Sequence, residues 1–171
     1  MIRAEMGRLD GDILRQAYGS FPTGVTALCA MVDGMAVGMA ASSFTSVSMD
    51  PPLVSICVAN TSSTWTRLRP AARLGVSVLA AEHALAARQL AARTGDRFEG
   101  LGLNVTDEGA VLIEQSASWL DCTLFQEVPA GDHIMLLLRI EALRTFPEKH
   151  PLVFHGSTFR QLADQATPDY S

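Results

Sequence analysis

Residues 40–53, AASSFTSVSMDPPL, concentrate hydroxyl side chains beside small ones. Small side chains let a planar ligand approach the backbone, and hydroxyls and free N–H groups can bond to the polar edge of such a ligand. A flat ring with carbonyl oxygens and ring nitrogens along one side would suit this segment. The alternative is an ordinary polar strand end and loop, since Ser and Thr clusters commonly mark loops.

A second hydroxyl cluster, NTSSTW at residues 60–65, follows an apolar run and opens a predicted helix. Unpaired N–H groups at a helix start, together with hydroxyls, suit a phosphate group. Arg67 and Arg69 lie close by and could add positive charge. The alternative reading is a simple helix cap.

Two single side chains are further candidates. In residues 131–134, GDHI, alternation places His133 opposite Ile134, so the imidazole is predicted to point away from the core and either faces a cleft or is an ordinary surface group. In residues 96–98, DRF, the Arg97 guanidinium could hold a phosphate by two parallel bonds. Its alternative is a surface salt bridge with Asp96 or Glu99.

Several common catalytic patterns are absent from the sequence. There is no G-x-x-x-x-G-K-[ST], no G-x-S-x-G and no H-E-x-x-H, and Gly100-Leu101-Gly102 lacks the third glycine of a dinucleotide fingerprint. The 4 histidines show no metal-ligand spacing, and the 3 cysteines contain no CxxC pair. We therefore expect no metal site, and a stand-alone hydrolase or metalloenzyme is disfavoured.

The elements that would position these residues are mostly strands. A short helix near residues 9–17, capped by Asp10 or Asp12, precedes a strand over Val25–Val32, and the Asp33-Gly34 dipeptide predicts a type I′ hairpin turn. The remaining predicted elements are a return strand from Met35 towards Met49, a strand at Leu53–Val58, a helix at Thr61–Leu68, a strand at Leu74–Leu79, a helix at Glu82–Ala92, a loop at Thr94–Asn104, two long strands around residues 119–128 and 133–141, and a final pair at Leu152–Phe154 and Thr158–Leu162.

The two long strands show clear alternation. One predicted face of the first carries Leu120, Cys122, Leu124 and Val128, and the other carries Trp119, Asp121, Thr123 and Glu127. Many strands and few helices predict a closed or partly closed antiparallel barrel with peripheral helices.

Composition limits the function classes. The 171 residues are 48% hydrophobic and 18% charged, which predicts one domain over residues 1–171, with a core at about 14–162 and a loose polar tail at 163–171. A net charge of −5 argues against nucleic acid and anionic membrane as partners. Charges interrupt the N-terminal residues, so no signal peptide is expected, and widely spaced thiols at Cys29, Cys57 and Cys122 favour a reduced, cytoplasmic protein.

Taken together, the segments resemble the flavin reductase-like family, the reductase components of two-component flavin-dependent monooxygenases. The matching pieces, in the order of the family, are FPTGVT at 21–26, the stretch from Gly38 through ASSFTSVSMDPPL, NTSST at 60–64, DRF at 96–98, PAGDHI at 129–134 and PLVF from 151 with Phe159 after it. They cover about residues 14–162, nearly the whole chain.

The resemblance implies a mainly β fold, an antiparallel Greek-key FMN-binding split barrel with a few peripheral helices, and a homodimer. It implies flavin-binding roles for Gly38, Met39, Ala40, Ala41, Ser42, Ser43, Phe44 and Thr45; for Cys57, Val58, Ala59 and Asn60; for Ser62, Ser63 and Thr64; and for Arg97 with Phe98. It implies nicotinamide contacts for His133, the candidate catalytic residue, and for His155, Gly156 and Phe159. Many relatives carry a tyrosine where Phe159 stands, so the details of nicotinamide binding are expected to differ here.

The function that the resemblance implies is reduction of FMN or FAD by NADH or NADPH, with transfer of the reduced flavin to a separate oxygenase. The sequence has no obvious basic cluster for a 2′-phosphate, which favours NADH over NADPH. The main alternative is a flavin-binding split barrel that does not reduce. A haem or pyridoxine-phosphate split barrel and a purely structural protein are disfavoured by the polar motifs.

Overall fold

The structure, a computed structural model, describes residues 9–162, which lie mainly in antiparallel strands. The strands are β1 (Thr23–Gly24), β2 (Thr26–Val32), β3 (Met35–Ala41), β4 (Thr45–Met49), β5 (Pro52–Ala59), β6 (Leu74–Val78), β7 (Leu103–Val105), β8 (Val111–Ile113), β9 (Ser118–Ala130), β10 (His133–Thr145), β11 (Val153–His155) and β12 (Thr158–Arg160). The helices are α1 (Gly11–Gly19), α2 (Ser63–Leu68) and α3 (Ala84–Ala91), the last preceded by a 3₁₀ turn at Ala81–His83.

One seven-stranded sheet forms the body of the fold. Its strand order is β3-β2-β6-β9-β10-β5-β4, and its pairings are antiparallel. The strands β3 and β4 follow one another in the chain but lie at opposite edges of this order, so the hydrogen-bonded ladder does not close between them. Smaller sheets of β1-β11-β12 and β7-β8 accompany it. The predicted mainly β, antiparallel fold class is confirmed, and an open ladder of this kind is a split barrel.

The strand β2 is buried on both faces. Leu28 and Ala30 belong to a core cluster that includes Ile56, and Ala27 and Cys29 belong to a second cluster. A strand covered on both sides has no polar face, which explains the uninterrupted apolar run that the sequence shows there. Within residues 9–162 no helix combines the length and the apolar character needed to cross a bilayer.

Two local predictions at the start of the chain are confirmed. The Asp10 carboxylate caps α1 by accepting from the backbone N–H groups of Asp12 at 3.0 Å and Ile13 at 2.9 Å. Asp33 and Gly34 both have positive φ, 51° and 77°, as a type I′ turn requires. The hairpin β2–β3 is therefore fixed by local sequence.

The prediction of one return strand from Met35 towards Met49 is wrong. The chain leaves the ladder after Ala41, and Thr45 begins a new strand that pairs with β5 on the far edge of the sheet. Strand propensity alone could not predict this break. Beside it, the Ser43 side chain, and not a neighbouring strand, makes hydrogen bonds to the backbone of Cys57. Its Oγ accepts from the Cys57 N–H at 2.9 Å and donates to the Cys57 carbonyl at 3.1 Å.

The alternation predicted for β9 holds only as far as Leu124. Leu138 pairs with Leu124, but Leu137 pairs with Gln126, so Phe125 is an extra residue in β9. Such a bulge changes which side the following residues face, and the predicted face assignments of Glu127 and Val128 are therefore wrong.

One further boundary needs correction, and one prediction is not tested. The predicted loop Thr94–Asn104 ends early, because β7 begins at Leu103, and the pair β7–β8 was not predicted at all. The predicted tail at 163–171 lies outside the described residues.

Candidate functional site

A cavity lies between β3 and the part of β5 that follows Ser55, where β4 no longer pairs with β5. We call it the split cavity; it has a volume of about 370 Å³ and is lined by Met39, Ala40, Ala41, Ser42, Ser43, Cys57, Val58, Ala59, Ser62 and His133. Most of these side chains are small, so the backbone forms much of the wall. β3 pairs with β2 on one side only, which leaves backbone groups of its other edge outside the ladder. The site can therefore offer backbone donors and acceptors to a flat ligand.

His133 stands at the mouth of this cavity, at the first position of β10, opposite Ala59 in the register. Its Nδ1 lies 2.7 Å from a carboxylate oxygen of Asp132. An ionised carboxylate only accepts, so Nδ1 carries the proton in this bond and Nε2 is the ring nitrogen left for a ligand. The same bond lowers the pKa of Asp132 from its ordinary value. The sequence left two readings of His133 open, a cleft-facing group or an ordinary surface group, and its place in the cavity lining favours the first.

Hydrogen bonds from Asn60, the residue after β5, hold the turn that carries Asp132. The Asn60 side-chain amide donates to the Gly131 carbonyl at 3.1 Å, and the Asn60 N–H donates to the Asp132 carbonyl at 3.0 Å. Asn60 itself is exposed and lies outside the lining of the split cavity. Its observed contacts are those of a residue that holds the loop in front of His133.

A second cavity lies beside the earlier part of β3. We call it the arginine cavity; it has a volume of about 430 Å³ and is lined by Met35, Ala36, Val37, Gly38, Ser63, Thr64, Arg67, Arg93, Gly95, Asp96, Arg97 and Phe98. The two linings have no residue in common, but they are adjacent in the chain on both walls, at Gly38 and Met39 on β3 and at Ser62 and Ser63 at the start of α2.

Arg97 joins the two walls of the arginine cavity. Its Nη1 donates to the Gly38 carbonyl at 2.9 Å and to the Thr64 hydroxyl at 2.8 Å. The alternative of a surface salt bridge with Asp96 or Glu99 is not what the structure contains, since Arg97 reaches the sheet instead. Its remaining N–H groups are suited to an anion beside Ser63 and Thr64.

The loop that carries Arg97 is held against β3 and α3. The Gln89 side chain donates to the carbonyls of Asp96 at 3.2 Å and Glu99 at 2.8 Å. Phe98 packs so closely on Gly38 that a Cβ there would lie 2.9 Å from the Phe98 ring. The Cys29 Sγ would lie closer still to this Cβ, so Cys29 and Phe98 together require glycine at position 38, and Phe98 acts by packing.

Trp65 attaches the helix α2 to the core of the protein. This side chain is buried in the core, and its indole N–H donates to Glu127 at 2.9 Å. Arg69 donates to the other carboxylate oxygen of Glu127 at 2.6 Å, so it is engaged there, whereas Arg67 lines the arginine cavity. The Ser62 hydroxyl caps the helix by accepting from the Trp65 N–H at 3.1 Å. The helix-cap reading is therefore correct for Ser62, and Ser63 and Thr64 remain the hydroxyls beside the cavity.

A third cavity lies on the other side of the end of β3. We call it the aromatic cavity; it has a volume of about 330 Å³ and is lined by Val25, Ala40, Ala41, Ser42, Ala87, Arg88, Ala91, Phe154, Ser157 and Phe159. It shares Ala40, Ala41 and Ser42 with the split cavity. The Arg88 guanidinium lies over the Phe159 ring, 5.4 Å from its centroid. Phe159 and His133 therefore line neighbouring cavities that meet at one segment of β3.

Five predicted site residues lie outside the linings of these three cavities, namely Asn60, described above, and four others. Phe44 packs against the barrel core, Thr45 is exposed on β4, His155 ends β11, and Gly156 forms the turn with φ of 57°. Their roles remain predictions. Within residues 9–162 no group of three or more His, Cys, Asp or Glu is placed to hold a metal ion.

Sequence reasoning missed Arg88 and Arg93. Arg93 lies in the segment before the DRF motif, and Arg88 lies on the exposed side of α3. Neither stands in a motif, and only the packing of α3 and the loop against β3 brings them to the cavities. Arg93 lies close to Arg97 in the chain, but this spacing alone does not show that it reaches the cavity.

The three thiols provide a test of the split cavity. Burial raises the pKa of Cys29 and of Cys122 to about 12, while Cys57 is half-buried and lines the cavity. Because the thiolate is the reactive form, we expect an aromatic disulfide reagent to modify Cys57 alone in the native protein, and Cys57→Ser to abolish the reaction. Saturating FMN should slow it. Fast modification of Cys29 or Cys122, or no protection by FMN, would contradict this placement.

Comparison with known proteins gives a consistent result. Residues 18–163 match the flavin reductase like domain. The chain is 35% identical over 157 residues to a flavin reductase of Pseudomonas putida, covering 90% of this chain and 92% of that protein. It is 30% identical to the reductase subunit HsaB of a flavin-dependent monooxygenase of Rhodococcus jostii, covering 93% and 82%. Among solved structures, an NADH:FAD oxidoreductase of Streptomyces globisporus, in complex with NAD and FAD fragments, superposes with a TM-score of 0.86 at 35% identity, covering 98% and 100%.

Proposed function

This chain belongs to the flavin reductase-like family, and from that premise we propose that the split cavity holds a flavin ring and that Ser63, Thr64 and Arg97 hold the flavin phosphate. The protein is an NAD(P)H-dependent flavin reductase that uses FMN or FAD, and it works as the reductase component beside a separate monooxygenase. The single observation that carries the site is the cleft where β3 and β5 fail to pair, because it places an open backbone edge, small side chains and His133 around one space.

The residues present fit a flavin. The split cavity and the arginine cavity are each within the range of about 300–1,000 Å³ that small-molecule sites occupy. The polar edge of the ring would meet backbone groups of β3 and the hydroxyl of Ser42, while Val58 and Ala59 provide apolar contact. Bound flavin would accept hydride from the nicotinamide and carry it to the oxygenase.

The chain's own contribution is binding and alignment. Distance and orientation dominate a hydride transfer, so the walls must hold two flat rings face to face. We propose that the nicotinamide enters where the split and aromatic cavities meet, at Ala40–Ser42. His133 then orients it through Nε2, and Asp132 holds the imidazole by the bond to Nδ1. His133 is not required as a proton donor in this scheme.

The experiment that tests the function is NADH oxidation in air with added FMN or FAD, repeated with NADPH. Rapid oxidation that depends on added flavin is expected. Flavin binding without oxidation by any pair of substrates would overturn the reductase and favour a flavin binder that does not reduce.

The substitution His133→Ala tests the role of the histidine. Loss of one hydrogen bond of about 0.5–1.5 kcal/mol predicts a rise in KM for NADH of about 2- to 10-fold. Flavin affinity should change little, since the cavity wall stays in place. Asp132→Asn keeps the imidazole but removes the charge that orients it, so a smaller rise is expected. An unchanged KM and an unchanged turnover in His133→Ala would exclude this role.

Three further properties are proposals of the same kind. We propose a single domain, a homodimer, and a cytoplasmic location. The family resemblance supports the dimer, and the three unpaired thiols support a reducing compartment. Sedimentation equilibrium tests the dimer, and a monomer at micromolar concentration would overturn it.

A further inference from the structure

The arginine cavity carries more positive charge than one flavin phosphate needs. Ser63 and Thr64, which follow Ser62 of the split cavity in the chain, line the arginine cavity together with Arg97, and Arg97 is already bonded to Thr64 and to the Gly38 carbonyl. Arg67 and Arg93 are two more guanidinium groups on the same lining.

Neither Arg67 nor Arg93 is neutralised by its surroundings. The ion pairs found within residues 9–162 do not include them. Asp96 is the one carboxylate in the lining, and one of its oxygens accepts from the Phe98 N–H at 2.8 Å. Three guanidinium groups against one carboxylate leave a net positive concave surface, which concentrates anions.

The arginine cavity also extends beyond Ser63, Thr64 and Arg97. Its volume of about 430 Å³ reaches Arg93 and Gly95 on the loop and Met35 and Ala36 at the start of β3. The Met35 side chain is 60% exposed, although it is large and apolar. A thioether beside an open space is a favourable contact for an aromatic ring.

We infer that the arginine cavity takes the adenylyl half of FAD, with Arg93 and Arg67 on the second phosphate and Met35 against the adenine, so that the protein selects FAD over FMN. This inference rests on the proposed flavin site. Guanidinium groups match phosphate oxygens with two parallel bonds, and FMN has neither the second phosphate nor the adenine of FAD.

The same chemistry, a nucleoside diphosphate, is present in the nicotinamide cofactor. Removal of Arg93 distinguishes FAD from the nicotinamide cofactor as the occupant of the cavity. If the cavity holds FAD, removal of Arg93 weakens FAD binding alone. If it holds the nicotinamide nucleotide, the same change raises KM for NADH and leaves the affinity for both flavins unchanged.

The test measures dissociation constants of oxidised FAD and FMN by calorimetry, without turnover. We expect the unmodified protein to bind FAD at least about 10-fold more tightly than FMN, and Arg93→Ala to remove most of that difference by weakening FAD only. Arg139→Ala is the charge-matched control, because Arg139 lies exposed on β10 and should leave both constants unchanged. The FAD constant should also rise more steeply with salt than the FMN constant.

Equal affinities for FAD and FMN, an equal loss for both in Arg93→Ala, or a loss confined to NADH would each overturn the inference while leaving the reductase intact. No binding of either flavin would instead overturn the proposed function itself.

Discussion

Replacing Arg97 by alanine is expected to raise the dissociation constants for FMN and FAD alike by about 10- to 150-fold. Hydrogen bonds to a charged group contribute about 1.5–3 kcal/mol, and each 1.4 kcal/mol is about tenfold in affinity. Arg97 links the carbonyl of Gly38 on β3 to the hydroxyl of Thr64 on α2, so its loss removes a phosphate donor and also releases the two walls from each other.

Two further variants separate these effects. Arg97→Lys keeps the charge but not the planar fork of donors, so an intermediate loss is expected. Thr64→Val keeps the arginine but removes its partner and one hydroxyl, so the loss should be smaller than in Arg97→Ala. Fluorescence titration of flavin measures all three, and circular dichroism confirms the fold. Unchanged flavin affinity in a folded Arg97→Ala protein would exclude Arg97 from the site.

Gly75→Ala is expected to lower the free energy of unfolding more than any other substitution described here. A Cβ at this position would run into the backbone of Val111, with the carbonyl carbon at 2.7 Å and the nitrogen at 2.9 Å. Neither side can move easily, because β6 is paired on both edges, with Cys29 and with Asp121. Overpacking costs about 1–3 kcal/mol, and backbone contact places this case at the upper end. At about 2–4 °C per kcal/mol, thermal unfolding should fall by about 6–12 °C.

Gly24→Ala is the matched control, since Gly24 also lies in a strand but a Cβ there meets nothing within 4 Å. Its melting temperature should stay within about 2 °C, as for substitutions that touch no special feature. Equal melting temperatures for the two variants would mean that β8 can move away from β6, against the close packing described here.

Local sequence was enough to predict the elements that local chemistry determines. The Asp10 cap, the Asp33-Gly34 turn and the run of β2 depend on residues a few positions apart, and each is confirmed. The strands β7 and β8 have three residues each, too few for a periodic pattern to show. They form because Gly75 leaves room for Val111 and because Ser77 accepts the N–H of Ile113 at 2.9 Å, which are contacts between distant segments.

The candidate site divides in the same way. The hydroxyl segments and His133 could be found from residue type and family likeness. The structure brings Ser42, Ser43, Ser62 and His133 to the split cavity, and Ser63 and Thr64 to the arginine cavity. The break after Ala41 could not be predicted, since it depends on the bonds between Ser43 and Cys57 across the opening. Arg88 and Arg93 could not be found either, because their positions depend on how α3 and its loop pack against β3.

The open edge of β3 has a consequence for solubility. An unpaired strand edge is the part of a β protein that most readily adds a strand from another chain, and proteins protect such edges with charged or bulky groups. Here Arg97 covers the Gly38 carbonyl on that edge, and Phe98 lies over the same glycine. Arg97 and Phe98, which are expected to hold the cofactor, therefore also cover an edge at which another chain could add a strand. Substitutions that loosen cofactor binding at this edge should be judged by the aggregation of the protein as well as by its affinity.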